Sequence, residues 1–194
     1  MEISGKETAR KTATQTRRLW LVKHDEYHPL RQKVIDNGLA DNHIQWPLLH
    51  YGLSLNVFPL FWGVCQTTGR LLNLQAICHR KDVHLRVQEK YGNPASTSAA
   101  TDRVIQTLVD WGLLIDRIGE ISAQVISVDD IKITQWLIIA LMLARATDKL
   151  PLVDVSKAPE LLGIRFEDVR TAIRSASMLR VERLFDIEMA IMMR

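Results

Sequence analysis

Apolar residues settle into a helical rhythm after residue 56. Phe58, Phe61, Trp62 and Cys65 recur at the spacing of one helix face. Asn56 is a residue type that caps helices, and Pro59 suits a first turn, where its missing N–H costs nothing. This first helix is expected to end near Asn73. Residues 74–78 read as a short extended piece. Asp82 is expected to cap a second helix reaching Tyr91, with Val83, Val87 and Tyr91 four apart. Gly92 ends it and Asn93-Pro94 makes a turn. A third helix opens at Ser96 or Ser98 and runs to Asp110. Its expected inner stripe is Ala100, Val104 and Leu108, supported by Ile105 and Trp111, and Gly112 stops it. Two β-rich runs, residues 113–118 and 121–128, are joined through Gly119-Glu120, which predicts a tight hairpin.

The same order then returns. Residues 131–145 form a strongly apolar helix (Ile133, Trp136, Leu137, Ala140, Leu141), with Asp129-Asp130 placed to cap it. Residues 150–153 are extended. Ser156 is expected to cap a brief helix to Leu162, followed by Gly163. Residues 166–177 read as a helix with Phe166, Val169, Ile173 and Ala176 inward, and residues 179–184 and 186–193 as a hairpin. Two copies of one order with little identity between them predict a structural repeat.

Before residue 56 the pattern is weaker. Residues 1–16 are polar and aperiodic, so residues 1–18 read as a flexible basic arm. Residues 19–55 read as a segment wrapping over its neighbour, with a short helix from Pro29 to Asn37 closed by Gly38. Divided by roughly 150 residues per domain, the 194 residues make one domain or two small ones. Charge then changes the picture. Residues 1–33 hold eight basic groups (Lys6, Arg10, Lys11, Arg17, Arg18, Lys23, Arg31, Lys33) against four acidic ones, while residues 128–194 hold ten of each. The excess of the net +3 therefore lies at the front, which suits a polyanion. The longest apolar run, residues 136–144, is far short of the about 20 residues of a membrane span, so no membrane partner is expected. There is no leader-like segment and no disulfide pattern around Cys65 and Cys78. A reduced cytoplasmic protein is the expectation.

The stretch VHLRVQEKYGNPASTSAATDRVIQTLVDWGLL carries the closest likeness to a known arrangement. A polar-apolar helix ends in Tyr-Gly, a turn follows, and a Ser/Thr-opened helix ends in Trp-Gly-Leu-Leu before a hairpin. KAPELLGIRFEDVRTAIRSASMLRVERL matches it in the second half. The chain resembles the winged helix-turn-helix superfamily, with residues 56–128 as one copy and 129–194 as a second. The expected class is mainly α with short β-hairpins (α+β). The resemblance implies binding of double-stranded DNA, as a regulator or as the DNA-handling subunit of a larger complex, by helix insertion into the major groove. Carried over by position, the first recognition helix presents Ser96, Thr97, Thr101, Arg103, Gln106 and Thr107, and the second Arg165, Arg170, Thr171 and Arg174. Gln106 has the donor and acceptor needed for an adenine edge, and Arg103 suits guanine or phosphate.

Beside these stand Arg10, Lys11, Arg17 and Arg18 of the arm, and a basic cluster of Arg70, Arg80, Lys81, Arg86 and Lys90. Glu120 at the first wing and Leu184-Phe185 at the second are features that favour the alternative, an adaptor docking protein or a second copy of itself. Cys65, Cys78, His79 and His84 lack the close cysteine pair of zinc modules, and His24 and His28 have no third ligand, so no metal or other cofactor is expected. No P-loop, G-x-S-x-G or H-E-x-x-H occurs, and an enzyme is not expected. Trp62, Trp111 and Trp136 read as core, while Trp20 and Trp46 are open to docking a partner.

Overall fold

The computed structural model describes residues 2–22, 26–41, 45–92 and 95–193, a mixed α/β arrangement that is mostly helical. The chain opens as a helix, α1 (Glu2–Trp20), where the sequence predicts an unstructured arm. The helix has no apolar face to announce it, because the side chains described from Ala9 to Arg18 are all exposed. It is fixed at its end instead. Leu19 is buried, and the buried Arg31 guanidinium donates to the carbonyls of Leu19 (2.5 Å), Val22 (3.2 Å) and Arg18 (3.5 Å). Those of Arg18 and Leu19 are carbonyls that a helix end leaves without partners. Arg31 sits on α2 (His28–Asp36), which starts with Pro in its first turn and closes on Gly38 at φ +66°, much as the sequence predicts.

The next two helices form the middle of the molecule. α3 (Trp46–Val57) is buried from Leu48 onward, and α4 (Pro59–Leu74) leaves it at 111° after Phe58. Asn56 is therefore no cap. It lies inside α3, where its Nδ2 donates to the carbonyls of Gly52 (2.9 Å) and Ala140 (3.0 Å), and the break comes at Phe58 because Pro59 cannot continue the helix. β1 (Ile77–His79) leads into α5 (Arg80–Tyr91), so Asp82 falls in the first turn rather than at the cap. There its charge still faces the free N–H groups. α6 (Ala95–Asp110) and the hairpin β2 (Leu114–Arg117)–β3 (Glu120–Ala123) follow. The turn is Ile118-Gly119, both at positive φ, one residue earlier than Gly119-Glu120. The sheet order is β1-β3-β2, antiparallel throughout. Asn93-Pro94 lies outside the described residues.

The run at 121–128 is not one strand. After Ala123 it leaves the hairpin, and β4 (Ile126–Val128) pairs in parallel with a strand far down the chain. α7 (Ile131–Ala144) is capped by Asp130, whose carboxylate accepts from the N–H groups of Lys132 (2.8 Å) and Ile133 (3.1 Å). β5 (Lys149–Pro151) leads into α8 (Leu152–Ser156). Ser156 is the end of that helix and not its cap, its hydroxyl donating back to the Val153 carbonyl (3.1 Å). The predicted helix over 166–177 is divided. Its first residue belongs to β6 (Ile164–Phe166), the partner of β4 in the register Ile126↔Ile164 to Val128↔Phe166. Asp168 then caps the short α9 (Val169–Arg174) by accepting from the Thr171 N–H (2.9 Å). β7 (Leu179–Leu184) and β8 (Ile187–Met192) close the chain in a sheet of order β5-β8-β7.

One connected set of buried apolar side chains runs from Leu30 on α2 through α3, α4, α6 and α7 to Ala190 on β8. Trp136 is at its centre, its indole N–H donating to the Leu30 carbonyl (2.9 Å). A buried polar seam crosses the same region. Glu160 accepts from Arg145 (2.6 Å to Oε2) and from Gln66 (3.0 Å to Oε1), and the Tyr51 hydroxyl donates to its carbonyl. Among the described residues no single helix is long and apolar enough to cross a membrane.

Candidate nucleic-acid interface

The phase of α6 decides which side chains it offers. Thr97, Thr101, Ile105 and Leu108 turn inward, a stripe rotated from the predicted Ala100–Val104–Leu108 set. Thr101 is buried among them and its hydroxyl donates to the Thr97 carbonyl (2.8 Å), so a polar residue sits inward at no cost in lost hydrogen bonds. Thr97 and Thr101 are therefore not presented to any partner. Ser96, Ala99, Arg103, Gln106 and Asp110 form the outer stripe, all exposed, with Thr107 at its edge and back-bonded to the Arg103 carbonyl. Gln106 donates to Asp110 (2.8 Å), while the Arg103 side chain makes no bond or ion pair among the described residues.

Below α6 lies a compact charge cluster. Arg80, at the start of α5, donates to Asp102 on α6 (2.9 Å) and to Asp116 on β2, and His84 meets the same Asp102 oxygen (2.9 Å). Burial would raise the Asp102 carboxyl, but its bonds to His84 and Arg80 outweigh that and hold it below the usual range. Asp116 is lowered chiefly by Arg80, and its other oxygen takes the Gly119 N–H (2.8 Å), fixing the turn. Arg80, nominated from sequence as a phosphate contact, is thus committed to clamping α5, α6 and the hairpin together. Two of the acids near α6, Asp102 and Asp116, are neutralised by it, while Asp110 stays exposed on the outer stripe.

The remaining nominees are scattered over the surface. Lys81 and Arg70 are exposed, Arg86 pairs with Glu89 (3.0 Å), and the Lys90 ammonium lies 4.5 Å from the Trp62 ring centre. Arg165 stands on β6 and not on a helix, bonding the Leu162 and Ile164 carbonyls. Arg170 is held by Glu188, and Arg174 ends α9, exposed. Lys23 and His24 lie outside the described residues.

Helix formation gives the N-terminal charges a geometry. Residues seven apart on a helix fall within about 20° of one meridian and about 10.5 Å along the axis. Arg10 and Arg17 are so related, and Lys11 and Arg18 form the adjacent row, all four exposed. Arg18 also stacks its guanidinium 5.3 Å from the Phe58 ring centre. The end of this helix is joined to the end of α6 by rings. Trp20 packs edge-on to Trp46 (5.4 Å) and His50 (5.5 Å), and His50 stacks on Trp111 (5.7 Å), the residue after α6. The Trp20 indole donates to His50 Nδ1 (2.9 Å), and burial lowers the His50 pKa, which keeps that nitrogen free to accept. Spacing along the sequence gives no sign of Arg31, His50 or Asp116 as organisers. Each acts on a residue remote in the chain.

No family model matches the chain, and neither does any curated protein or solved structure. Cys65 and Cys78 are free and buried, with burial raising Cys78 to about 11. Among the described residues no three His, Cys, Asp or Glu side chains converge as a metal site would require.

Proposed function

We propose that the protein binds double-stranded DNA, with α6 as the recognition element and α1 as a phosphate-contacting helix. The observation that carries this reading is the outer stripe of α6: Ser96, Arg103 and Gln106 exposed on a helix held outward by α5, the hairpin and the Arg80 clamp. The Arg10–Lys11–Arg17–Arg18 rows add positive charge on an element tied to the same scaffold. On this reading residues 59–123 are a winged helix-turn-helix. The sheet order β5-β8-β7, which mirrors β1-β3-β2 after a leading helix, supports residues 131–192 as a reduced second copy. Its recognition helix has only six residues and its Arg170 is engaged, so DNA contact belongs to the first copy. The exposed apolar tip at Phe185 favours docking of protein by the second half.

The test is fluorescence anisotropy with duplex DNA, duplex RNA and single-stranded probes over a range of salt. Duplex DNA should bind best, with affinity falling steeply as salt rises. Arg103→Ala should lower the salt slope by about one counterion, and loss of residues 1–18 should lower it further. Binding that ignores salt, or that survives both changes, refutes the assignment.

A further inference from the structure

The tip of the second hairpin breaks two rules at once. Phe185 is 93% exposed, and it occupies the first central position of a two-residue turn at φ +54°, where glycine is the ordinary residue. The first hairpin also carries a fully exposed bulky residue at positive φ, Ile118, but there the strand ends on either side of the turn are the charged Arg117 and Glu120. Beside Phe185 the surface is different. Val153, Leu184 and Ile187 are 52%, 47% and 52% exposed, and Leu184 faces Ile187 across the turn. Leu152, Val153 and Ile187 line an open groove of about 580 Å³ rimmed by Arg170, Arg183, Asp186 and Glu188.

We infer that this face joins two copies of the chain about a two-fold axis, the Phe185 of each seated in the Leu152–Val153–Ile187 groove of the other. Knob and groove lie side by side on one surface, which is what a self-complementary two-fold contact requires. The rim argues against other occupants. It holds two positive and two negative groups, so neither a polyanion nor a strongly charged peptide finds an opposite field. A second copy brings the same balanced set in reverse order. The area also fits. With large side chains covering about 150–250 Å² each, the four exposed apolar residues present on the order of 450 Å² per copy. Two copies bury at most about 900 Å² in this way, and the charged rim supplies the rest of the about 1,200 Å² at which specific interfaces begin. The contact is independent of DNA binding, since no residue of α1 or α6 takes part.

Sedimentation equilibrium of the full chain without DNA, over a wide range of concentration, tests this. The mass should approach twice that of the chain as concentration rises, with little response to salt. Phe185→Gly should make the protein monomeric and, compared at concentrations low enough for the wild type to be monomeric too, leave its melting temperature equal or higher, because glycine suits the turn. Val153→Glu, in the lining of the groove and outside the turn, should also give a monomer and keeps the test decisive if the turn variant does not fold. A chain that is monomeric throughout, or a dimer that both variants leave intact, overturns the inference. Either outcome leaves the Arg103 measurement with DNA free to succeed or fail separately.

Discussion

Glu160 shows how a single buried charge is held. Burial alone would raise its carboxyl, yet bonds from Arg145, from the backbone and from Gln66 outweigh burial and keep it below its ordinary 4.5. A carboxyl lowered in the folded state stabilises above its unfolded value, and that contribution is lost as pH falls through the folded value. Urea unfolding should therefore show a loss of stability below pH 4.5 that Glu160→Gln reduces. Arg145→Ala should cost about 3–5 kcal/mol at neutral pH, since it strands a carboxylate that is 1% exposed. His50 has the opposite chemistry and the same sign. Its neutral form is favoured by burial and accepts from Trp20. The unfolded chain then binds the proton first, so stability should fall as pH drops below 6.5 and continue to fall through the lower folded value. Tryptophan fluorescence should report the loosening of Trp20, and His50→Phe should abolish that step. A pH-independent signal in the wild type would contradict the arrangement.

At the scale of elements, several helices are legible, each for its own reason. α4 and α5 lie close to where periodicity puts them, α2 where its Pro and Gly signals put it, and α7, buried on nearly every side, where its long apolar run behind Asp129-Asp130 puts it. The elements that periodicity missed are of two kinds. α1 is polar on every side described and α3 is buried on nearly every side, so neither has a face to betray it. β4 and β6 are three-residue strands whose only logic is each other, and residues 126–128 carry no local mark of a partner at 164–166. The site was half legible for a related reason. The outer residues Ser96, Arg103 and Gln106 were found, but a threonine that returns its hydroxyl to the helix behaves as an inward residue, which shifted the stripe by one position. Two glycines mark where elements touch most closely. A Cβ on Gly69 would lie 1.8 Å from the Pro159 carbonyl oxygen, and one on Gly163 would lie 1.9 Å from that of Gln124. Both neighbours are backbone and cannot swing aside. Gly69→Ala and Gly163→Ala should each cost about 1–3 kcal/mol or more by overpacking, measured by chemical denaturation. Gly112→Ala meets open space, yet its φ of +71° strains any Cβ there, so its smaller loss separates backbone strain from contact.

For the whole molecule these contacts have a joint consequence. The linear pattern suggests beads in a row, a basic arm followed by two similar units. The close approaches instead run between the parts: α4 against the turn at 159–161, β4 against β6, and α3 against α7, with the Tyr51–Gln66–Arg145–Glu160 seam among them. Cooperativity follows from shared burial, because neither side of such a seam can unfold without exposing the other's apolar and charged groups. Heating should give one transition, with tryptophan fluorescence and far-ultraviolet circular dichroism coincident and the calorimetric enthalpy equal to the van't Hoff value. Gly163→Ala, which acts where the chain between β3 and β4 passes the start of β6, should lower that one midpoint without splitting it. Hydrogen exchange should then show α4 and α7 losing protection together, although Gly163 belongs to neither. Two resolved transitions, or protection lost only from α7 onward, would mean that the seam is too weak to couple its two sides.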